Sequence, residues 1–107
     1  MKYSVFLVFD AERDLIDIFD YVAKNDSLKQ AREILACLEK TILALESLPN
    51  RGNYPPELER IGLIGYREIH EPPFRVIYQV RKKHVFVHCV LDSRRDLRTI
   101  LFQRLLR

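Results

Sequence analysis

The chain lacks the usual marks of a membrane, secreted or metal-binding protein. No apolar run in its 107 residues approaches the roughly 18 that a membrane helix requires. The short run from Val5 to Phe9 is interrupted by Asp10, Glu12 and Asp14 before any cleavage-site pattern. No signal peptide is therefore expected, and the cytoplasm is the expected compartment. There are only two cysteines, Cys37 and Cys89, with no CxxC spacing. Both read as small core residues, so neither a disulfide nor a metal site is expected. Glycine is scarce, and no glycine-rich loop is available to cradle a phosphate; GxSxG and HExxH are also missing, and no cofactor is implied. No repeat, low-complexity tract or linker divides the chain, which reads as a single domain, 1–107, with one core.

What is present is alternation and helical periodicity. Tyr3 to Phe9 is a nearly continuous apolar run, predicting a strand covered on both faces. Asp10 is placed to cap a helix over 11–24, whose apolar stripe is Ala11, Leu15, Ile18, Phe19 and Val22. Ser27 and Gln30 fit a capping box for a second helix, striped by Ala31, Ile34, Leu35, Leu38, Ile42 and Leu45. The short connection between the two predicts an antiparallel hairpin. Residues 49–63 hold Pro49, Gly52, Pro55, Pro56 and Gly62 and read as a loop, with Tyr54 as its anchor. Three strands follow: Ile64 to His70, Phe74 to Val80 and His84 to Leu91. Phe74, Val76, Tyr78 and Val80 share one face with Val85, Val87, Cys89 and Leu91, and that face packs on the hairpin. Arg75, Ile77 and Gln79 take the other, polar and open face. Asp92 or Ser93 caps a last helix striped by Leu97, Ile100, Leu101 and Leu105. The class is α+β, with one mixed or antiparallel sheet packed on the hairpin.

Charge is uneven although the net is only +3. Acids crowd the first helix, where they read as a solvated surface. Arg94, Arg95, Arg98, Arg104 and Arg107 crowd the end. Arg67 and Arg75 lie on neighbouring strands, and Arg95 opens the last helix. Three guanidinium groups converging on one concavity suit a phosphodiester or a carboxylate cluster. The alternative is local pairing, of Arg67 with Glu68 or Glu71 and of Arg95 with Asp92 or Asp96. His70 and His88 are the side chains available as acid or base; His84 reads as a solvated turn residue.

The element order, together with DAERDLIDIFDYVAKND, LPNRGNYPPEL, YREIHEPPFRVIYQV and VFVHCVLDSRRDL, resembles the RelE/ParE superfamily of type II toxin–antitoxin toxins. The paired blocks FRVIY and LDSRRDL carry most of the likeness, which covers nearly the whole chain. RelE-like members cut messenger RNA on the ribosome; ParE-like members poison DNA gyrase. For the nuclease activity, the resemblance implies Arg67, Arg75 and Arg95 as phosphate-binding residues. The nuclease's tyrosine base has no counterpart, since Thr99, Ile100 and Leu101 occupy that stretch. Only His70 or His88 remains to take its place. Arginine cannot serve as a base near neutral pH, so the resemblance favours a ParE-type, gyrase-directed toxin. A ribosome-dependent nuclease and an inactive, binding-only relative are the alternatives.

It further implies a target surface of Arg67, Arg75, Arg94, Arg95 and Arg98. A cognate antitoxin is the implied partner in a hetero-oligomer, wrapping the hairpin and sheet and anchored on Phe19, Ile100, Phe102 and Leu106.

Overall fold

The structure, a computed structural model, describes residues 2–105. Leu106, one of the expected antitoxin anchors, lies outside the described residues. Strand β1 (Ser4–Leu7) leads into helices α1 (Phe9–Asn25) and α2 (Leu28–Leu43), and a 3-10 turn, Ala44–Glu46, closes the hairpin. A short helix, α3 (Pro56–Glu59), interrupts the following loop. Strands β2 (Tyr66–Glu71), β3 (Phe74–Arg81) and β4 (His84–Asp92) precede helix α4 (Leu97–Leu105). The sheet is mixed, in the order β1-β4-β3-β2, with β1 parallel to β4 and the remaining pairs antiparallel. Among the described residues, no helix is long and apolar enough to cross a membrane.

The hairpin forms where the periodicity places it. Ser27 Oγ accepts the Gln30 amide at 3.0 Å, the expected cap. Asp10 does not cap α1. The helix begins at Phe9, with Val8 as its cap residue and no side-chain bond. Val8 donates its amide to Val87 O and accepts from Ala11 and Glu12, so backbone alone makes the strand-to-helix corner. Asp10 and Glu12 sit in the first turn, where the helix dipole favours acids. Cys37 is exposed on α2, contrary to the core position expected of it.

The sheet has two cores, not one. Against the hairpin lie Ile69, Phe74, Val76, Tyr78, Val85, Val87 and Val90, packed on Ala11, Leu15, Leu38, Ile42 and Leu45. The second face, expected to be open, is covered at one end by α3 and α4. There Leu58, Tyr66, Ile77, Cys89, Leu91, Leu97, Ile100 and Leu101 form a separate cluster. Each such side chain contributes roughly 1.5–3 kcal/mol by leaving water, which is why α4 lies down on the sheet. A bulge explains the misplaced residues. The β3–β4 register jumps between Ile77 and Tyr78, so Ile77 faces Cys89 while Tyr78 faces Val87. His88 is left over, and Cys89 and Leu91 turn to the second face. The strand β1 is a sheet edge with Ser4 and Phe6 exposed, not a strand covered on both sides.

Register with β1 stops at Leu7 and Val87, leaving the rest of that side of β4 without a strand partner. A buried ion pair takes its place. Asp14 Oδ2 accepts the Val90 amide at 2.9 Å and Arg104 Nη1 at 2.9 Å. Arg104 Nη2 reaches Asp14 Oδ1 at 2.6 Å, and Nη1 also donates to His88 O. Asp14 is therefore buried, not part of a solvated acidic face.

Replacing Asp14 by Ala strands the Arg104 guanidinium and the Val90 amide. The expected loss is about 3 kcal/mol, seen as a lower urea midpoint at unchanged slope. Pairing it with Arg104→Ala in a double-mutant cycle should return a coupling above roughly 1 kcal/mol; strictly additive single losses contradict the pairing.

Candidate functional site

The five arginines singled out in the sequence do not converge. Arg75 is on the second sheet face, as alternation requires, but it is buried, with 7% of its surface exposed. Its Nε donates to Glu68 Oε1 at 2.7 Å, and Nη1 and Nη2 donate to the two Glu57 oxygens at 2.8 and 2.9 Å. The fork is closed by two carboxylates, so it offers little to an outside anion. Glu68 reaches it from β2 on the same face. Glu57 is carried by α3, a helix made by Pro56 at its first position and acids in its first turn. The bidentate hydrogen bond from Arg75 holds the Glu57 carboxyl below its ordinary range, and Glu57 in turn raises the Arg75 pKa.

Arg67 pairs across the strands with Tyr78, which places it on the opposite face from Arg75. Neither Glu68 nor Glu71 holds it. It donates to the carbonyls of Gly52 and Asn50 at 2.8 and 3.2 Å, and its guanidinium lies 4.7 Å over the Tyr54 ring. Tyr54 thus anchors the loop as expected. Tyr78 completes this clasp, giving its hydroxyl proton to Pro49 O and accepting the Gly52 amide. A Cβ at residue 52 would fall 2.6 Å from Glu68 O and 2.7 Å from the Tyr78 hydroxyl, so only glycine fits.

Arg94, Arg95 and Arg98 are exposed. Neither Asp92 nor Ser93 caps α4: Asp96 does, accepting from the Arg98 and Thr99 amides, while Asp92 closes the preceding turn on the Arg94 amide. Arg94 and Arg95 therefore precede the helix. Arg94 is held by both Asp92 oxygens and lowers the Asp92 pKa. Arg98 stands 4.0 Å from Asp96. The Arg95 side chain makes no hydrogen bond or ion pair among the described residues. It borders two clefts, one apolar and one polar. The first, about 530 Å³, is walled by Ile18, Tyr21, Val22 and Ile34 of the hairpin and by Phe74, Val90 and Leu91 of the sheet. The second is lined by Asp10, Arg13, Asp17, Gln103 and Arg104.

Of the expected apolar anchors, Phe102 is 45% exposed and Phe19 half-buried. Ile100 is buried in the second core because α4 lies on the sheet, so it is not an available anchor. The exposed ring beside the apolar cleft is Tyr21, which the sequence reading passed over.

The histidines separate. His70 is half-exposed, with Nε2 3.5 Å from Glu68 Oε1, in a hollow shared with Arg60, Arg75 and Ser93. His88 is half-buried, bonded to Gln79 Oε1 at 2.8 Å and edge-on to Tyr66. Burial pushes its pKa below the ordinary value of 6.5, and burial pushes the Cys89 thiol up to about 11. Thr99 donates its hydroxyl proton to Asp96, and Ile100 and Leu101 face the core, so that turn supplies no base.

Arg75→Ala leaves the Glu68 carboxylate buried without its cation. It should cost about 3 kcal/mol in chemical denaturation and speed proteolysis of the 49–63 segment; parental stability contradicts a structural role. The unfolded chain protonates His88 more readily than the folded one does. Its contribution is therefore complete above pH 6.5 and is lost as pH falls through the lower folded value. His88→Gln should flatten the stability profile below pH 6.5; identical profiles contradict the burial effect.

A family model described as the ParE toxin of the type II toxin–antitoxin system parDE matches residues 7–97. No curated protein matches the chain significantly. Among solved structures, a chain of the chromosomal ParDE system of P. aeruginosa superposes with a TM-score of 0.70 at 18% identity, covering 85% of this chain and 96% of that one. A chain of the toxin–antitoxin complex RelBE2 of Mycobacterium tuberculosis gives 0.64 at 21% identity, covering 86% and 99%. These two likenesses bear on the fold, and the family model spans everything from the end of β1 to the first residue of α4. The chain belongs to the ParE toxin family of type II toxin–antitoxin systems.

Proposed function

We propose that the chain halts growth by binding DNA gyrase in the cytoplasm, without cleaving RNA, and that a cognate antitoxin neutralises it in a hetero-oligomer. The observation that carries this reading is the closure of Arg75 by Glu57 and Glu68. Cleaving RNA at a phosphodiester requires cations free to meet the phosphate and a group to take the ribose proton. Arg75 is occupied and Arg67 is committed to a loop on the other face. The turn that would carry a base holds none. The other three arginines of the expected target surface, Arg94, Arg95 and Arg98, are exposed, lie together at the entry to α4 and suit an acidic protein surface. The apolar cleft beside Arg95 and Tyr21 suits an acidic-apolar antitoxin segment that folds as it binds, and the two similar solved structures come from toxin–antitoxin systems.

Controlled expression of the chain separates the readings. DNA synthesis should stop and DNA damage appear before translation falls. Arg95→Glu, which disturbs no bond of the fold, should relieve toxicity by at least ten-fold in surviving cells. Co-expression of the adjacent antitoxin should restore growth. Cut transcripts on ribosomes, lost with His70→Ala, would establish the nuclease reading instead; normal growth at strong expression would establish a binding-only relative.

A further inference from the structure

The open end of the second sheet face holds a feature that the toxin reading does not use. Paired residues form a row across the strands that opens toward β1: the buried Tyr66 opposite Gln79, Gln79 opposite Phe86, and Phe86 beside Phe6. The next row is Ser4, His84 and Arg81. Phe6 and Phe86 are stacked with centroids 5.6 Å apart, and His84 meets Phe6 edge-on at 5.5 Å. Phe6 is 46% exposed and His84 is exposed, because α4 covers only the other end.

The strand segments that carry this platform hold charge of one sign. From Lys2 to Phe9 and from Gln79 to Leu91 the chain has no Asp or Glu. Lys2, Arg81 and Lys82 are exposed at its rim. Lys82 occupies the turn with φ of +55°, a conformation that glycine takes at less cost, so a cation stands where the backbone favours its absence.

The geometry points to a binding site for single-stranded nucleic acid, with bases stacking on Phe6 and Phe86 and phosphates running past Arg81 and Lys82. The exposed Phe6 ring against the half-buried Phe86, with Gln79 beside them and cations at the border, offers the stacking surface and charge that such a strand requires. Adjacent strands lie about 4.8 Å apart, so β1 to β3 spans about 10 Å, room for two or three nucleotides. A duplex hides its base faces and gains only the electrostatic part. The site is independent of the gyrase reading, since it shares no residue with the α4 entry.

Fluorescence anisotropy on the purified full chain tests it, with labelled oligo-dT, oligo-rU and a duplex of equal length, at about 50 and 200 mM salt. At least one single strand should bind more tightly than the duplex, and the dT and rU arms show whether DNA or RNA is preferred. Phe6→Leu keeps the apolar bulk without the ring face and should weaken binding about ten-fold at unchanged melting temperature. Lys82→Gly suits the turn and should reduce the salt slope by about one. Duplex bound as tightly as single strand, or a Phe6→Leu variant that binds like the parent, overturns the proposal. So does failure of both single strands to bind.

Discussion

A guanidinium shared by two carboxylates fixes the geometry of this toxin's second sheet face. Arg75 stands on β3 with Glu68 beside it on β2, and Glu57 arrives from the loop to complete the fork. Taking any of these charges out of water is costly, and the cost is met only when all three are together. Glu57 thereby ties α3 to the sheet, and α3 brings Leu58 into the second core beneath α4. The Arg67 and Tyr78 clasp holds the same loop from the other side at Gly52. A segment rich in proline and glycine is in this way pinned at two points, and α4 is given a surface to lie on.

That network also decides what the face does. An arginine engaged by two acids is a tie, and the same residue with its fork open is an anion site. Sequence position alone does not distinguish the two; the acids around it do. Of the five arginines singled out in the sequence, those left exposed are Arg94, Arg95 and Arg98 at the start of α4; Arg94 and Arg95 border the apolar cleft, and Arg95 also borders the polar one. Ties within the sheet, and Arg95 with no ion pair among the described residues at its end, are the ground on which the protein-binding reading is proposed.

Much of the fold was legible because the hairpin and strands follow simple periods. Ala11, Leu15, Ile18 and Val22 mark one side of α1, and Ser27 announces α2. What escaped depended on single residues. One bulge opposite Ile77 and Tyr78 turned Cys89 and Leu91 over, and nothing in an alternating sequence marks it. The cap of α4 fell on Asp96 because Asp92 was already used by Arg94. Other signals were present and unread. Asp14 lies three residues after Ala11 and four before Ile18, on the buried side of α1, where a carboxylate needs a partner. Tyr66, Glu68 and His70 alternate onto the face of Arg75, so a cross-strand acid was available to it. Pro56 followed by Glu57 is a helix start. Exposure of Phe6 could not be read, since it depends on where β1 lies in the sheet and how far α4 reaches.

The most direct measurement is the NMR signal of the Arg75 Nε–H proton. A guanidinium held by Glu57 and Glu68 gives a slowly exchanging resonance, shifted by its carboxylate bond and unmoved when a short RNA is titrated in. A rapidly exchanging resonance, or one that moves with added RNA at saturable concentration, would show the fork to be open and the central claim to be wrong.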